Sequence, residues 1–207
     1  MTEDLDCEPY TTILSEEDIE YVIIPKLYYP DNPALNNFIS TKPLLKNTAS
    51  KIALFNLPWD EKLLFLDGDM FVRKNIDHLF DEYPSGSMLW SATEGFGMSG
   101  LFIFNPRYHS YKIYKILLEH YNDLDGGIIG DLFFPVKENA SFRIPCHYIT
   151  EDLMLRDNTH LYHCYGNDKP FLLSPSELQQ YMHFPAYQMY CRVYLPLRIK
   201  YKNLFDF

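Results

Sequence analysis

Paired carboxylates, a histidine and a lysine, each placed close to glycine, are the groups in this chain best suited to chemistry. Asp67-Gly68-Asp69 follows the apolar run Leu63-Leu64-Phe65-Leu66. That is the pattern of a fully buried strand emerging at the edge of a sheet. In an extended chain residues i and i+2 point to the same side, so Asp67 and Asp69 are expected to converge on one point. Gly68 between them leaves room for a ligand to approach the backbone. Carboxylates so close repel unless a positive charge stands between them, and hard oxygen ligands favour Mg2+ or Mn2+. The second group is His163-Cys164-Tyr165-Gly166-Asn167-Asp168-Lys169. Its imidazole can complete a coordination sphere begun by carboxylates, Gly166 allows backbone N–H groups near a phosphate, and Lys169 offers a point charge to a diphosphate. Taken alone, each has an ordinary reading: a solvated turn after a core strand, a structural histidine, a surface lysine.

The flanking sequence predicts the elements that position these groups. Tyr10–Leu14 and Tyr21–Leu27 read as short strands, with Ser15-Glu16-Glu17-Asp18 as a turn or helix start between them. The Pro- and Asn-rich stretch 28–46 reads as loop. Asn47 or Thr48 can cap a helix carrying Ile52, Ala53, Phe55 and Leu57, stopped by Pro58. Past the carboxylates, Asn75 reads as the N-cap of a short helix. Ser87–Ala92 and Gly100–Phe104 read as strands joined through Glu94-Gly95-Phe96-Gly97, and Tyr108–Tyr121 as a helix. Phe142–Ile149 and Leu161–Tyr165 are further expected strands. From Ser174 onward an aromatic-rich tail, with Tyr181, Tyr187, Tyr190 and Tyr194, is expected to form helices against the core.

A chain of 207 residues with 47% hydrophobic content is long enough for one α/β core, and a single domain over 1–207 is expected. Lys and Arg number 18 against 28 Asp and Glu, a formal charge of −10. That balance argues against a general nucleic-acid or anionic-membrane surface, so positive charge at a phosphate site must be placed locally. The acidic start MTEDLDCEPY has no apolar h-region, and no stretch holds 18 uninterrupted apolar residues. A soluble, cytoplasmic protein without a transmembrane segment is therefore expected. The cysteines at 7, 146, 164 and 191 show no CxxC spacing, which points to reduced thiols rather than structural zinc.

Combined, LFLDGDMFVRKNIDHLF and HCYGNDKPF resemble the family 8 glycosyltransferases, the glycogenin and galactinol synthase group, which have a GT-A fold. Lys51 lies 16 positions before Asp67, the family interval for a helix-borne lysine. Met98-Ser99-Gly100 matches an Asn-Ser-Gly strand, and Asp125-Gly126-Gly127 an Asp-Gly-Gly turn. Ile144-Pro145-Cys146-His147-Tyr148 echoes Leu-Pro-x-x-Tyr, and His163–Phe171 the His-x-x-Gly-x-x-Lys-Pro-Trp motif. The resemblance covers about residues 47–171, with 172–207 as C-terminal helices. It implies a mixed, mostly parallel sheet flanked by helices, with the site at the C-terminal strand ends. It further implies Mn2+ (or Mg2+) held by Asp67, Asp69 and His163, and a UDP-sugar whose diphosphate meets Gly166 and Lys169. Lys51, Ser99 and Gly100 would lie on the donor. Transfer to a carbohydrate or glycoconjugate acceptor, with retention of anomeric configuration, follows from the family.

Three positions depart from that pattern. Ile128-Ile129 replaces the family's Asp-Gln, leaving Asp125 and Asp131 as the candidates to face the reacting sugar. Met98 replaces an Asn beside the sugar, consistent with a less polar sugar such as a deoxysugar. The family's opening strand and helix, which hold uracil and ribose, have no recognisable counterpart in residues 1–46, so that either Tyr10–Leu14 serves as that strand in a shortened fold or the chain begins late. Two other functions fit parts of the sequence. A non-catalytic nucleotide-sugar-binding protein would explain Ile128-Ile129. A haloacid-dehalogenase-like phosphohydrolase shares the strand-Asp-x-Asp pattern, but leaves His163, Gly166 and Lys169 without a role.

Overall fold

The computed structural model describes residues 8–20, 22, 51, 54–91, 96–107, 139–145, 149–150, 159–164 and 169–201. The chain enters through helix α1 (Glu8–Glu16), where a strand was expected over Tyr10–Leu14. Pro9 suits a first helical turn, and the end of α1 is tied down from the far end of the chain. Lys200 and Tyr201 both donate to Glu17, at 2.8 and 2.6 Å. Residues 54–56 form a single tight turn, and Phe55 is buried. Most of the expected strand at Tyr21–Leu27 and the capping residues Asn47 and Thr48 lie outside the described residues.

Strand β1 (Leu63–Leu66) leads to β2 (Met70–Val72) and to α2 (His78–Glu82). Asp77 takes the N-cap position of α2, two residues past the expected cap. Asn75 still does a cap's work, because its side chain accepts from the Asp77 N–H at 2.7 Å. Next come β3 (Ser87–Ser91), β4 (Phe96–Phe104), β5 (Arg143–Pro145), β6 (Ile149–Thr150) and β7 (Leu161–His163). Helices α3 (Pro175–Tyr181) and α4 (Pro185–Lys200) close the described chain, as the aromatic tail predicted. Strand β4 begins at Phe96, so Gly97 is part of a strand paired with Trp90 rather than a loop. The expected helix over Tyr108–Tyr121 lies outside the described residues.

The strands form two sheets, ordered β1-β4-β3-β5 and β2-β7-β6. Three of the five described pairings are antiparallel, β1 with β4, β3 with β4 and β2 with β7. Two are parallel, β3 with β5 and β6 with β7. The sheets are mixed, as expected, but the described pairings are not mostly parallel. Alternation along β4 supplies both faces of the larger sheet with core. Leu101 and Ile103 pack with Leu79 of α2, Leu89, Ile144 and Leu161. Phe102 and Phe104 turn to the other face, where Phe102 stacks on Phe65 at 4.7 Å and Phe55 meets Phe104 edge-on at 5.5 Å. A further cluster joins Phe71 and Tyr162 of the smaller sheet to Leu178, Tyr187 and Tyr190 of the terminal helices.

Strand β1 departs from the expected full burial, since all four of its residues are half-buried. It is the terminal strand of its sheet among the described residues and pairs only through β4. An apolar run marks contact with a core, but it does not reveal whether both edges of the strand are covered.

Candidate functional site

Backbone bonds seat the two carboxylate residues at the junction of the sheets. The Asp67 N–H donates to the Gly100 carbonyl at 2.9 Å, extending the β1–β4 ladder by one residue. The Cys164 N–H donates to the Asp69 carbonyl at 3.0 Å, extending the ladder between β2 and β7. Between them the Met70 N–H returns to the Asp67 carbonyl at 3.0 Å. Asp67-Gly68-Asp69 is therefore a turn passing the chain from one sheet to the other, not the extended end of β1. The carboxylates converge as expected, but through the turn rather than through strand alternation.

His163 reaches the same point because β7 pairs with β2 so that His163 faces Met70. One ligand atom each from Asp67, Asp69 and His163 lie within 4.8 Å of one another. Two hard carboxylate oxygens and a borderline imidazole nitrogen form a mixed oxygen–nitrogen donor set that could hold a divalent cation. His163 Nε2 lies 3.2 Å from Asp69 Oδ1, and Lys169 Nζ lies 2.5 Å from Asp69 Oδ2. Lys51 Nζ lies 2.6 Å from Asp67 Oδ1 and donates to the Ser99 carbonyl and hydroxyl at 3.4 and 3.5 Å. Two lysines thus balance two carboxylates, in a site where every one of these side chains is mostly buried.

The electrostatics follow from that packing. Burial alone would raise the Asp69 carboxyl, but hydrogen bonds from His163 and Lys169, with their charges, outweigh it. The carboxyl is held well below the usual carboxylate range and is ionised at neutral pH. Beside it, burial pushes the Cys164 thiol up to about 12, and the Asp69 charge adds to the effect while Lys169 opposes it. A neutral thiol is neither a nucleophile nor a ligand, so Cys164 is a packing residue here.

Gly100 makes the cluster sterically possible. A Cβ at Gly100 would lie 2.6 Å from Met70 Cε, 3.2 Å from Asp67 Oδ2 and 3.8 Å from His163 Cε1. The structure therefore brings together Asp67, Asp69, His163, Lys51, Lys169, Ser99 and Gly100. Asp125, Asp131 and Gly166, with Ile128 and Ile129, lie outside the described residues. Met98 is partly buried and packs against the apolar cluster of Ile76, Leu79 and Leu101. The cation–π contacts of Lys51 with Phe65 at 5.3 Å and of Lys169 with Phe171 at 5.8 Å went unseen in the sequence. They join residues far apart in the chain, and no spacing rule reports them.

No family model matches the chain. Human glycogenin-2 is 28% identical over 152 residues, covering 72% of this chain and 26% of glycogenin-2. Human glycogenin-1 is 26% identical over 149 residues, covering 72% of this chain and 37% of glycogenin-1. The chain thus matches between about a quarter and somewhat over a third of the length of these two curated relatives. Over most of its own length, it is similar in sequence to the human glycogenins.

Proposed function

We propose that this chain is a metal-dependent glycosyltransferase of family 8 type and GT-A fold, which moves a sugar from a UDP-sugar to a carbohydrate or glycoconjugate acceptor with retention of configuration. The convergence of Asp67, Asp69 and His163 between Lys51 and Lys169 carries the reading, and the similarity to human glycogenins supports it. A divalent cation held by Asp67, Asp69 and His163 would act as a Lewis acid, neutralising charge on the departing diphosphate. Lys169 and Gly166 bind that diphosphate, with the Lys169 ammonium exchanging Asp69 for phosphate oxygens as the nucleotide enters. Lys51, oriented by Ser99, faces the donor, and Gly100 keeps the space that the carboxylates need. Asp125 and Asp131 are the groups available to the reacting sugar where Ile128-Ile129 leaves no polar side chain.

The test is to incubate the chain with UDP-glucose, with and without Mn2+, across sugar and glycoconjugate acceptors while following UDP release. The reading predicts Mn2+-dependent release, lost in Asp69→Asn and reduced at least tenfold in the Asp125→Asn, Asp131→Asn double variant. Tight UDP binding with no release on any acceptor would instead identify a non-catalytic nucleotide-sugar binder, the reading that Ile128-Ile129 favours. Phosphate-ester hydrolysis without sugar transfer would identify a phosphohydrolase.

A further inference from the structure

Away from the carboxylate turn, a cavity of about 380 Å³ lies at the other end of β1. The register of β1 against β4 pairs Leu63 with Phe104, and carrying it three residues beyond the ladder sets Asp60 opposite Arg107. Their exposed side chains close into an ion pair there. Both line the cavity, together with Asn56, Pro58, Trp59 and Pro106. Phe55, buried against Phe102 and Phe104, joins the lining to the core. Strand β1 alone spans about 13 Å, and the cavity shares no residue with the carboxylate cluster.

The lining is held in shape from both of its stretches. The Arg107 N–H donates to the Asn105 side chain at 2.9 Å, and the Leu57 N–H returns to the Leu54 carbonyl at 3.4 Å. Pro58 and Pro106 have fixed φ, and the Asp60–Arg107 pair ties the two stretches together across 47 positions. Groups ordered in advance lose little entropy on binding. A single exposed tryptophan is ordinary on a protein surface. Here Trp59, 42% exposed, shares a concave lining with planar polar side chains of three kinds. Asp60 accepts hydrogen bonds, Arg107 donates them and the Asn56 amide does both. The formal charges of Asp60 and Arg107 cancel, in a chain of net charge −10.

We infer that this cavity is a carbohydrate-binding site, which holds a sugar unit of a neutral glycan away from the transfer centre. A sugar ring offers apolar C–H faces to an aromatic ring, and hydroxyls that both donate and accept to the polar side chains around it. The cavity falls within the usual range for small-molecule sites, ~300–1,000 Å³. Cancelling charges disfavour a phosphorylated or otherwise anionic ligand, which would meet the Asp60 carboxylate. The inference deepens the transferase reading and rests on it for the role of the glycan. A polymeric acceptor held at a second point has a raised effective concentration at the carboxylate cluster.

Oligosaccharide binding is measured by calorimetry without donor or metal, with maltoheptaose, cellopentaose and chitopentaose as neutral probes and a hyaluronan hexasaccharide as the anionic one. Trp59→Ala removes the stacking surface and Arg107→Ala the donor. Both positions are exposed, and an exposed ion pair adds little to stability. The inference predicts that at least one neutral probe binds wild type, at least tenfold more weakly to Trp59→Ala and at least threefold more weakly to Arg107→Ala. UDP binding with Mn2+ should stay within twofold of wild type in both variants. No binding of any neutral probe, equal affinity in wild type and folded Trp59→Ala, or preference for the anionic probe would overturn it. So would displacement of the oligosaccharide by UDP with Mn2+, which would put the glycan in the transfer centre instead. Should Trp59→Ala fail to fold, Arg107→Ala decides the matter. Oligosaccharide binding by wild-type protein that binds no UDP with Mn2+ would leave the glycan site standing and overturn the transferase reading.

Discussion

At the scale of single residues, the site is a balance of four charges around a histidine, held in shape by a glycine. Because Gly100 leaves no room for a methyl group beneath Asp67, Gly100→Ala forces the Asp67 carboxylate to shift by a few tenths of an ångström. The Met70 side chain can yield. The fold should therefore lose only about 1–3 kcal/mol, as overpacked sites do, while Mn2+ affinity falls several-fold. Calorimetry with Mn2+ and a urea melt separate the two effects, and unchanged metal affinity would show that Gly100 does not shape the site. Cys164 gives a second prediction. Its pKa is raised to about 12 against an ordinary 9.0, so the folded protein holds the thiol proton while the unfolded chain releases it. The unfolded state then binds fewer protons, so this group costs stability as pH rises from about 9 towards about 12. At pH 8 Cys164 should stay unmodified by iodoacetamide in the native protein and react after denaturation, as read by peptide mass mapping. Rapid native labelling at Cys164 would contradict its burial.

At the scale of elements, helix α3 starts on a complete capping box. The Ser174 hydroxyl accepts from the Glu177 N–H, and the Glu177 carboxylate accepts from the Ser174 N–H at 2.8 Å, with Pro175 at the first helical position. Ser174→Ala should lower unfolding stability by about 1 kcal/mol, measured as a shift of the urea midpoint at constant slope. An unchanged midpoint would mean that α3 draws nothing from its cap. Signals of this local kind are what the sequence displayed best. The apolar runs located β1 and β7, and the aromatic tail from Ser174 announced α3 and α4, because periodicity and caps act within a few residues. Long-range features were less legible. Tyr10–Leu14 has the β-branched and aromatic composition of a strand, yet it is helical where distant Lys200 and Tyr201 hold Glu17. Asp67 and Asp69 were read as converging, but the mechanism is a turn fixed by Gly100 and Cys164, partners 33 and 95 positions away. The aromatic grouping of Phe71, Phe171, Tyr190, Tyr194 and Tyr201 left no motif at all, since its rings come from three separate stretches of chain.

Across the molecule, the two ends of the described chain are fastened together. Lys200 and Tyr201 hydrogen-bond to Glu17 and hold its carboxyl below its ordinary value of 4.5. A depressed carboxyl contributes stability that is complete above the unfolded value and is lost as acid protonates the folded group. Hydrogen exchange of α1 should therefore be slow at neutral pH and quicken below about pH 4.5, beyond the intrinsic rate change. Glu17→Gln should exchange quickly at both pH values, and a wild-type α1 insensitive to pH would show that the fastening is idle. The carboxylate cluster lies where the two sheets exchange the chain, and the proposed transfer requires this junction to be a metal-dependent nucleotide site. Calorimetric titration of UDP, with and without Mn2+, on wild type and on Asp69→Asn tests it most directly. The account predicts binding that appears only with Mn2+ and weakens at least tenfold in the variant, whereas binding indifferent to both the metal and the substitution would contradict it.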